Sequence, residues 1–163
     1  MKVGILSDTH DNLPAIERIV ERFNAEKVDL VLHAGDFVSP FTAAPFGRLV
    51  APLVGVFGNN DGDRPHLLRR YEGIGTLYAG VHAFGVDGLR VILMHQPRSI
   101  DELAASGDHD LIVYGHTHKV DLRGAPGGPA IVNPGEACGW LTGRSTAVLF
   151  DTQTRSANLV SVG

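Results

Sequence analysis

The sequence predicts an α/β fold in which two sheets pack together with helices on the outside. Three observations carry that prediction. Residues 2–57 alternate strand, helix, strand, helix, strand, an order that implies right-handed crossovers and a parallel sheet. The rest of the chain is rich in short apolar runs punctuated by turn residues, which read as further strands. Polar clusters begin where several of these runs stop, and open α/β sheets place their ligands at such strand ends.

The elements follow in order. Lys2 to Ser7 is a short apolar run and reads as a buried strand. Asp8-Thr9-His10-Asp11-Asn12 is a polar loop, and Pro14 suits the first turn of a helix. Ile16, Ile19, Val20 and Phe23 then keep helical spacing, with Glu17, Arg18, Glu21 and Arg22 on the opposite face. Asp29 to His33 is a second strand, ending in Ala34-Gly35-Asp36. A proline-interrupted, weakly helical stretch from Phe41 to Val50 leads to a third strand, Leu53 to Phe57, ending in Gly58-Asn59-Asn60-Asp61. A short helix around Leu67 to Tyr71 precedes runs at Thr76–Tyr78, Val81–Val86 and Leu89–Met94, the last two joined by a hairpin turn at Asp87-Gly88. Ser99 is placed to cap a short helix through Ala105. Strands are expected at Leu111–Tyr114, Val120–Leu122, Ala130–Val132, Thr146–Phe150 and Leu159–Val162, with a loop over Gly124–Pro129 and a closing turn over Asp151–Arg155. Neither a repeat nor a linker interrupts the pattern, so residues 1–163 read as a single domain.

Composition narrows the function classes. With 44% hydrophobic and 20% charged residues the chain is too apolar to stay disordered and too polar for a membrane bundle. Fourteen Lys plus Arg against eighteen Asp plus Glu leave a net charge of −4, which argues against gripping a nucleic-acid polymer by charge. A single cysteine, Cys138, excludes an internal disulfide framework and a cysteine-rich zinc module, and it fits a reducing compartment. The opening residues meet Asp8 too soon for a signal peptide or a spanning helix, so a cytoplasmic protein without a membrane partner is expected. Twenty glycines and eight histidines are many for 163 residues, and several glycines stand beside histidine, aspartate or asparagine. Close backbone approach at a polar site needs glycine in such places.

Five clusters carry the chemistry: Asp8-x-His10, Gly35-Asp36, Gly58-Asn59-Asn60-Asp61, His95 and Gly115-His116-Thr117-His118. If the strands are parallel neighbours, four histidines, two aspartates and one asparagine become available around one point. Imidazole with carboxylate suits Mn, Fe, Zn, Co or Ni, whereas an all-oxygen set would suit Mg or Ca. Seven such side chains exceed the four that a structural zinc takes. They suit two divalent ions that share a carboxylate and leave positions open, and a natural reaction for such a pair is phosphate-ester hydrolysis. Taken singly each cluster has a plainer reading: Gly35-Asp36 as a turn and cap, Asp8 and His10 as a solvated loop. The alternate histidines of Gly115-His116-Thr117-His118 are a costly way to build a turn.

The five motifs, in this order and at this spacing, resemble the calcineurin-like metallophosphoesterases, and within them the small single-domain phosphodiesterases of bacteria and archaea. The resemblance runs from Lys2 to about Gly135, where Asn133-Pro134-Gly135 also fits. It implies a four-layer αββα sandwich, two mixed central sheets flanked by helices, with the metals at the shared sheet edge. It further implies that Asp8, His10 and His118 hold one ion, Asn59, His95 and His116 the other, and Asp36 bridges both. Asp36, Asn59 and His95 are expected to take part in catalysis, by attack of a hydroxide that bridges two divalent transition metal ions, Mn first among Ni, Co, Fe and Zn. The substrate is a small phosphate ester, most simply a diester, and self-association is left open. A rival reading is a non-catalytic protein-binding scaffold on the same fold, since a retromer subunit resembles the family but has lost metal-site histidines. All seven positions here keep metal-binding side chains.

Two departures from the family pattern stand out. Where more active relatives carry a histidine that protonates the leaving group, this chain has Asn60, which is no acid near neutral pH. The fourth motif reads His95-Gln96-Pro97 in place of His-Gly, and Pro97 has a fixed φ and no N–H. Of the remaining residues, His33 is read as either a support for a ligand or a buried structural histidine. His66, His82 and His109 read as surface or packing residues, and Cys138 as inert. Phe37 and Trp140 read as core packing. Arg64 stands close enough to reach a substrate phosphate and reads equally as a solvated charge, and it is left out of the site.

Overall fold

The computed structural model describes residues 1–124 and 127–162. Residues 125–126, the middle of the loop expected over Gly124–Pro129, lie outside the described residues. The first sheet has the order β11-β10-β1-β2-β3-β4. Its strands are β1 (Lys2–Leu6), β2 (Leu30–His33), β3 (Leu53–Val56), β4 (Gly75–Tyr78), β10 (Thr146–Asp151) and β11 (Ser156–Ser161). The second sheet runs β5-β6-β7-β9-β8, built from β5 (His82–Val86), β6 (Leu89–Leu93), β7 (Leu111–Val113), β8 (Val120–Arg123) and β9 (Ala130–Pro134). Strands β1 to β4 are parallel, as are β6, β7 and β9, and antiparallel strands flank both sets, so both sheets are mixed.

Four layers follow from where each strand sends its alternate side chains. Val3 and Ile5 of β1, with Leu32, Val148 and Phe150, meet Val91, Leu93, Leu111, Val113 and Val132 of the second sheet. The opposite face of the first sheet packs on α1 (Leu13–Ala25), α2 (Ala43–Phe46) and α3 (Arg64–Arg70) through Ile16, Ile19, Phe23, Phe46 and Leu67. The outer face of the second sheet, Ile92, Ile112 and Ile131, is covered by α4 (Ile100–Ser106). Each fully buried Val, Leu or Ile contributes ~1.5–3 kcal/mol, so these three interfaces dominate the favourable side of folding. In α1 the helical spacing of Ile16, Ile19, Val20 and Phe23 places all four in the core, and the Asn12 side chain caps the first turn at Ala15 N.

Four expectations need correction. The helical stretch at 41–50 is shorter, a 3₁₀ turn at Pro40–Thr42 running into α2, which stops at Gly47. Helix α3 starts at Arg64, earlier than 67, because Asp63 caps it through His66 N and Pro65 suits the first turn. The last strand spans 156–161, its start paired with Asp151. Ser99 does not cap α4 with its side chain: its φ of 49° is left-handed, and only its carbonyl joins the helix, accepting from Leu103 N–H. The Asp87-Gly88 hairpin turn forms between Val86 and Leu89, with both turn residues at positive φ. Among the described residues no helix is long and apolar enough to cross a membrane.

Candidate metal centre

The carboxyl ends of β1, β2 and β3 in one sheet and of β6 and β7 in the other come to the same edge. The loops there are held by backbone pairs within each sheet and by a hydrogen bond between the sheets. Asp8 N–H donates to Gly35 O, and His10 N–H to Asp36 O. Gly115 N–H donates to His95 O, and His116 N–H to Asp8 Oδ2. Asp8, His10, Asp36, His116 and His118 all have positive φ, from 38° to 67°, a region L residues rarely occupy. Two glycines permit the crowding. A Cβ on Gly58 would run into the Asp36 carboxylate and backbone, and one on Gly115 into Ser7 Oγ and Asp8.

The structure brings all seven expected side chains together. His10 Nε2 lies 3.7 Å from Asp8 Oδ1 and 3.5 Å from Asp36 Oδ2, and His118 Nε2 lies 3.4 Å from Asp8 Oδ1. On the other side His95 Nε2 is 3.4 Å from Asp36 Oδ2 and 2.8 Å from Asn59 Oδ1, which is 2.9 Å from His116 Nδ1. Asp36 therefore stands between two groups of donors. Burial pushes its carboxyl up, but His95 and the backbone and side-chain N–H groups of Asn60 outweigh burial and hold it well below the usual carboxylate range.

These atoms fit divalent cations. His95 Nδ1–H donates to Ala34 O at 2.8 Å, so Nε2 is the ring atom that faces Asp36 and the Asn59 carbonyl oxygen. Asp8 Oδ1 and His10 Nε2 are buried with no hydrogen-bond partner, a state that costs ~1–3 kcal/mol per group, more when charged. Carboxylate, amide and imidazole atoms that converge in this way are what a cation satisfies. Among the described residues three sets hold ligand atoms within 4.8 Å of one another: Asp8 with His10 and His118, Asp8 with Asp36 and His95, and His118 with Glu136 and Cys138.

Other residues at this edge carry roles that the sequence reading did not assign. Glu136 is buried and accepts from His118 Nδ1 at 2.7 Å, from the N–H groups of Leu141 and Thr142, and from Thr142 Oγ1. Burial raises its carboxyl and these donors outweigh that, taking it down to about 2. It fixes the His118 ring with Nε2 facing Asp8. A carboxylate directly after Asn133-Pro134-Gly135 was the available signal. Asp61 accepts from Asp36, Val38 and Gly58 N–H and so ties two loops together. His33 is buried and stacked on Phe37; its Nδ1 accepts from Gly35 N–H and its Nε2 faces Thr9 Oγ1, so it supports loops and touches no candidate ligand atom. Burial lowers its pKa well below the ordinary value, which keeps that ring neutral.

Phe37 is core, as expected, but Trp140 is not: it is 64% exposed, with Nε1–H donating to His10 O on the rim of the site. Gln96 and Pro97 are exposed, so the missing N–H of Pro97 orphans no partner. Cys138 is buried and its thiol is pushed up to about 12, first by burial. Arg64 lines a cleft beside Asn59 and His95.

A family model for the calcineurin-like phosphoesterase superfamily domain matches residues 1–155. The chain belongs to that superfamily. Phosphate-ester hydrolysis is the reaction class of this chain. It is 39% identical over 159 residues to phosphodiesterase MJ0936 of Methanocaldococcus jannaschii, covering 95% of each chain. It is 32% identical to a probable metallophosphoesterase of Methanothermobacter thermautotrophicus, covering 100% of this chain and 94% of the relative. A solved archaeal phosphodiesterase superposes with a TM-score of 0.92 at 36% identity, over 99% of both chains. A Vps29 structure from Entamoeba histolytica shares the fold, with a TM-score of 0.69 at 18% identity over 100% of both chains. The four-layer sandwich expected from the superfamily is the observed architecture.

Proposed function

We propose that the chain is a phosphodiesterase that holds two divalent ions, Mn foremost, through Asp8, His10, Asp36, Asn59, His95, His116 and His118. The single observation that carries this reading is the position of Asp36 Oδ2, within 3.5 Å of His10 Nε2 and 3.4 Å of His95 Nε2, one histidine from each donor group. Two cations at such a centre supply Lewis-acid activation of water and neutralise charge on the phosphoryl oxygens.

The chain's own residues prepare the rest. Ala34 O and Glu136 each accept a hydrogen bond from a ring N–H, of His95 and His118 in turn, so that Nε2 of each faces inward. Asn60 donates its backbone and side-chain N–H groups to both oxygens of Asp36 and holds that carboxylate in place. It offers no dissociable proton to a departing alkoxide, so esters with stable leaving groups suit this site best. The open cleft beside Asn59 and His95 leaves room for the second substituent of a diester. We also read residues 1–163 as one domain acting in the cytoplasm, in keeping with a lone, unpaired cysteine.

The test is elemental analysis of metal-reconstituted protein, a chelator titration, and a panel of mono- and diesters assayed with Mn, Ni, Co, Mg and Zn. Two ions per chain and chelator-sensitive diester hydrolysis are expected. One ion, or activity indifferent to chelation, defeats the two-metal reading. The scaffold alternative gains nothing specific here, since Vps29 shares only the fold, and a scaffold has no use for convergent ligand atoms.

A further inference from the structure

Beside the candidate centre, on the Asn59 and His95 side, lies a cleft of about 440 Å³. That falls within the size range of small-molecule sites and exceeds what one phosphoryl group fills. Its apolar lining comes from Phe57, Met94 and Val81, of which Val81 is the exposed one. The charged part of the lining is Arg64 and Arg98. Arg64 is fixed: Nη2 donates to Gly58 O at 2.9 Å, Nε to Asp61 O at 3.3 Å, and the guanidinium lies 5.2 Å from the Phe57 ring centroid. Both of those hydrogen-bond partners are neutral backbone carbonyls, so its charge stays uncompensated and three of its five N–H donors remain. Among the described residues no carboxylate pairs with Arg64 or with Arg98. Arg22, Arg48, Arg90, Arg123 and Arg155 are paired with acids. Arg64 and Arg98 share with Arg18, Arg69, Arg70 and Arg144 the lack of one and are set apart by meeting in a single cleft, in a chain that carries −4.

Two unpaired cations in one cleft that also has an apolar lining select an anion attached to an uncharged body. We infer that this cleft is a substrate subsite for a second anionic group. The preferred substrate is then a phosphodiester in which one ester substituent carries an additional phosphoryl group, its body resting on Phe57, Met94 and Val81. This rests on the phosphodiesterase reading for the identity of the reacting group. The subsite itself rests on the cleft and its arginines.

The experiment compares two substrates with the same leaving group, thymidine 5′-(4-nitrophenyl phosphate) and its 3′-phosphorylated counterpart, on metal-loaded protein. The 3′-phosphorylated diester is expected to show a kcat/KM higher by about tenfold or more, the range of a charge-assisted contact. Arg98→Gln, which removes a side chain with no intramolecular partner to lose, should reduce that ratio to near one. Arg64→Gln should do the same, and Arg98→Gln keeps the test decisive if loss of the Gly58 and Asp61 contacts disturbs folding. Lys119→Gln, beside His118, should keep the ratio. Calorimetric titration with thymidine 3′,5′-bisphosphate against thymidine 5′-phosphate reads the subsite without turnover. Equal kcat/KM for the two diesters, or a preference that survives both arginine variants, overturns the subsite. No turnover of either diester, with the bisphosphate still bound more tightly through Arg98, overturns the phosphodiesterase reading and keeps the subsite. No turnover and no binding preference overturns both.

Discussion

Asp36 and Asn59 test the centre at the scale of single side chains. A carboxylate between two donor groups contributes charge to both, whereas an asparagine oxygen is neutral and touches only His95 and His116. Asp36→Asn is therefore expected to lower kcat and metal content more than Asn59→Ala, with kcat down by at least ~10²-fold, the scale of losing a main electrostatic contribution. The reverse order, in kinetics and metal analysis, would unseat Asp36 from its bridging place. Asn60 gives a second prediction. Because it supplies no proton, log kcat/KM should fall steeply with leaving-group pKa in the native protein. Asn60→His should flatten that dependence, since a positioned acid contributes about 10²–10⁴-fold on poor leaving groups. A shallow native plot would mean that another group already provides the proton.

At the scale of elements, Asp110 at the start of β7 ties the two sheets together. It accepts from Arg90 on β6, through its backbone N–H and guanidinium, and from Arg155 in the turn after β10. The Arg90 donors hold its carboxyl at about 2, below the ordinary 3.8. A folded-state pKa below the unfolded one means stability present above about pH 4 and lost as pH falls through about 2. Asp110→Asn should lower Tm by a few degrees at pH 7, in line with ~1 kcal/mol for a networked surface pair. The gap between native and variant should close as the pH approaches 2, followed by calorimetry. A gap independent of pH would assign the effect to packing. Elements were the most legible part of the sequence. The continuous apolar run of β1 and the 3.6-residue spacing in α1 are local properties, and burial follows them, on both faces of the strand and on one face of the helix. The ends were less so. Helix α3 depends on an Asp63 cap that outranks the apolar periodicity starting at Leu67, and Ser99 looks like a cap but is turned into a left-handed conformation.

For the molecule as a whole, the candidate centre draws Asp8, Asp36 and Asn59 from one sheet and His95, His116 and His118 from the other. Cations held there would cross-link the two layers, and in their absence Asp8 Oδ1 and His10 Nε2 stay buried without a partner. Chelation should therefore lower Tm on the order of 5 to 10 °C, reversed by adding Mn, since a ligand that binds only the folded state stabilises it by mass action. An identical Tm with and without chelator would speak against ions bridging the layers.

Taken alone, the sequence determined which residue types stand at the strand ends and which faces of the elements are apolar. Both are written locally, in side-chain chemistry and in periods of two and 3.6. Only the tertiary structure decided that β6 and β7 lie in a second sheet facing β1 to β3, which carries His95 to Ala34 O across 61 residues. It alone assigned Glu136 to His118, left Trp140 on the rim instead of in the core, and gave the exposed Arg64 two backbone carbonyls to rest on. Those placements depend on contacts between segments far apart in the chain, and no local pattern of side chains encodes which distant backbone will meet them.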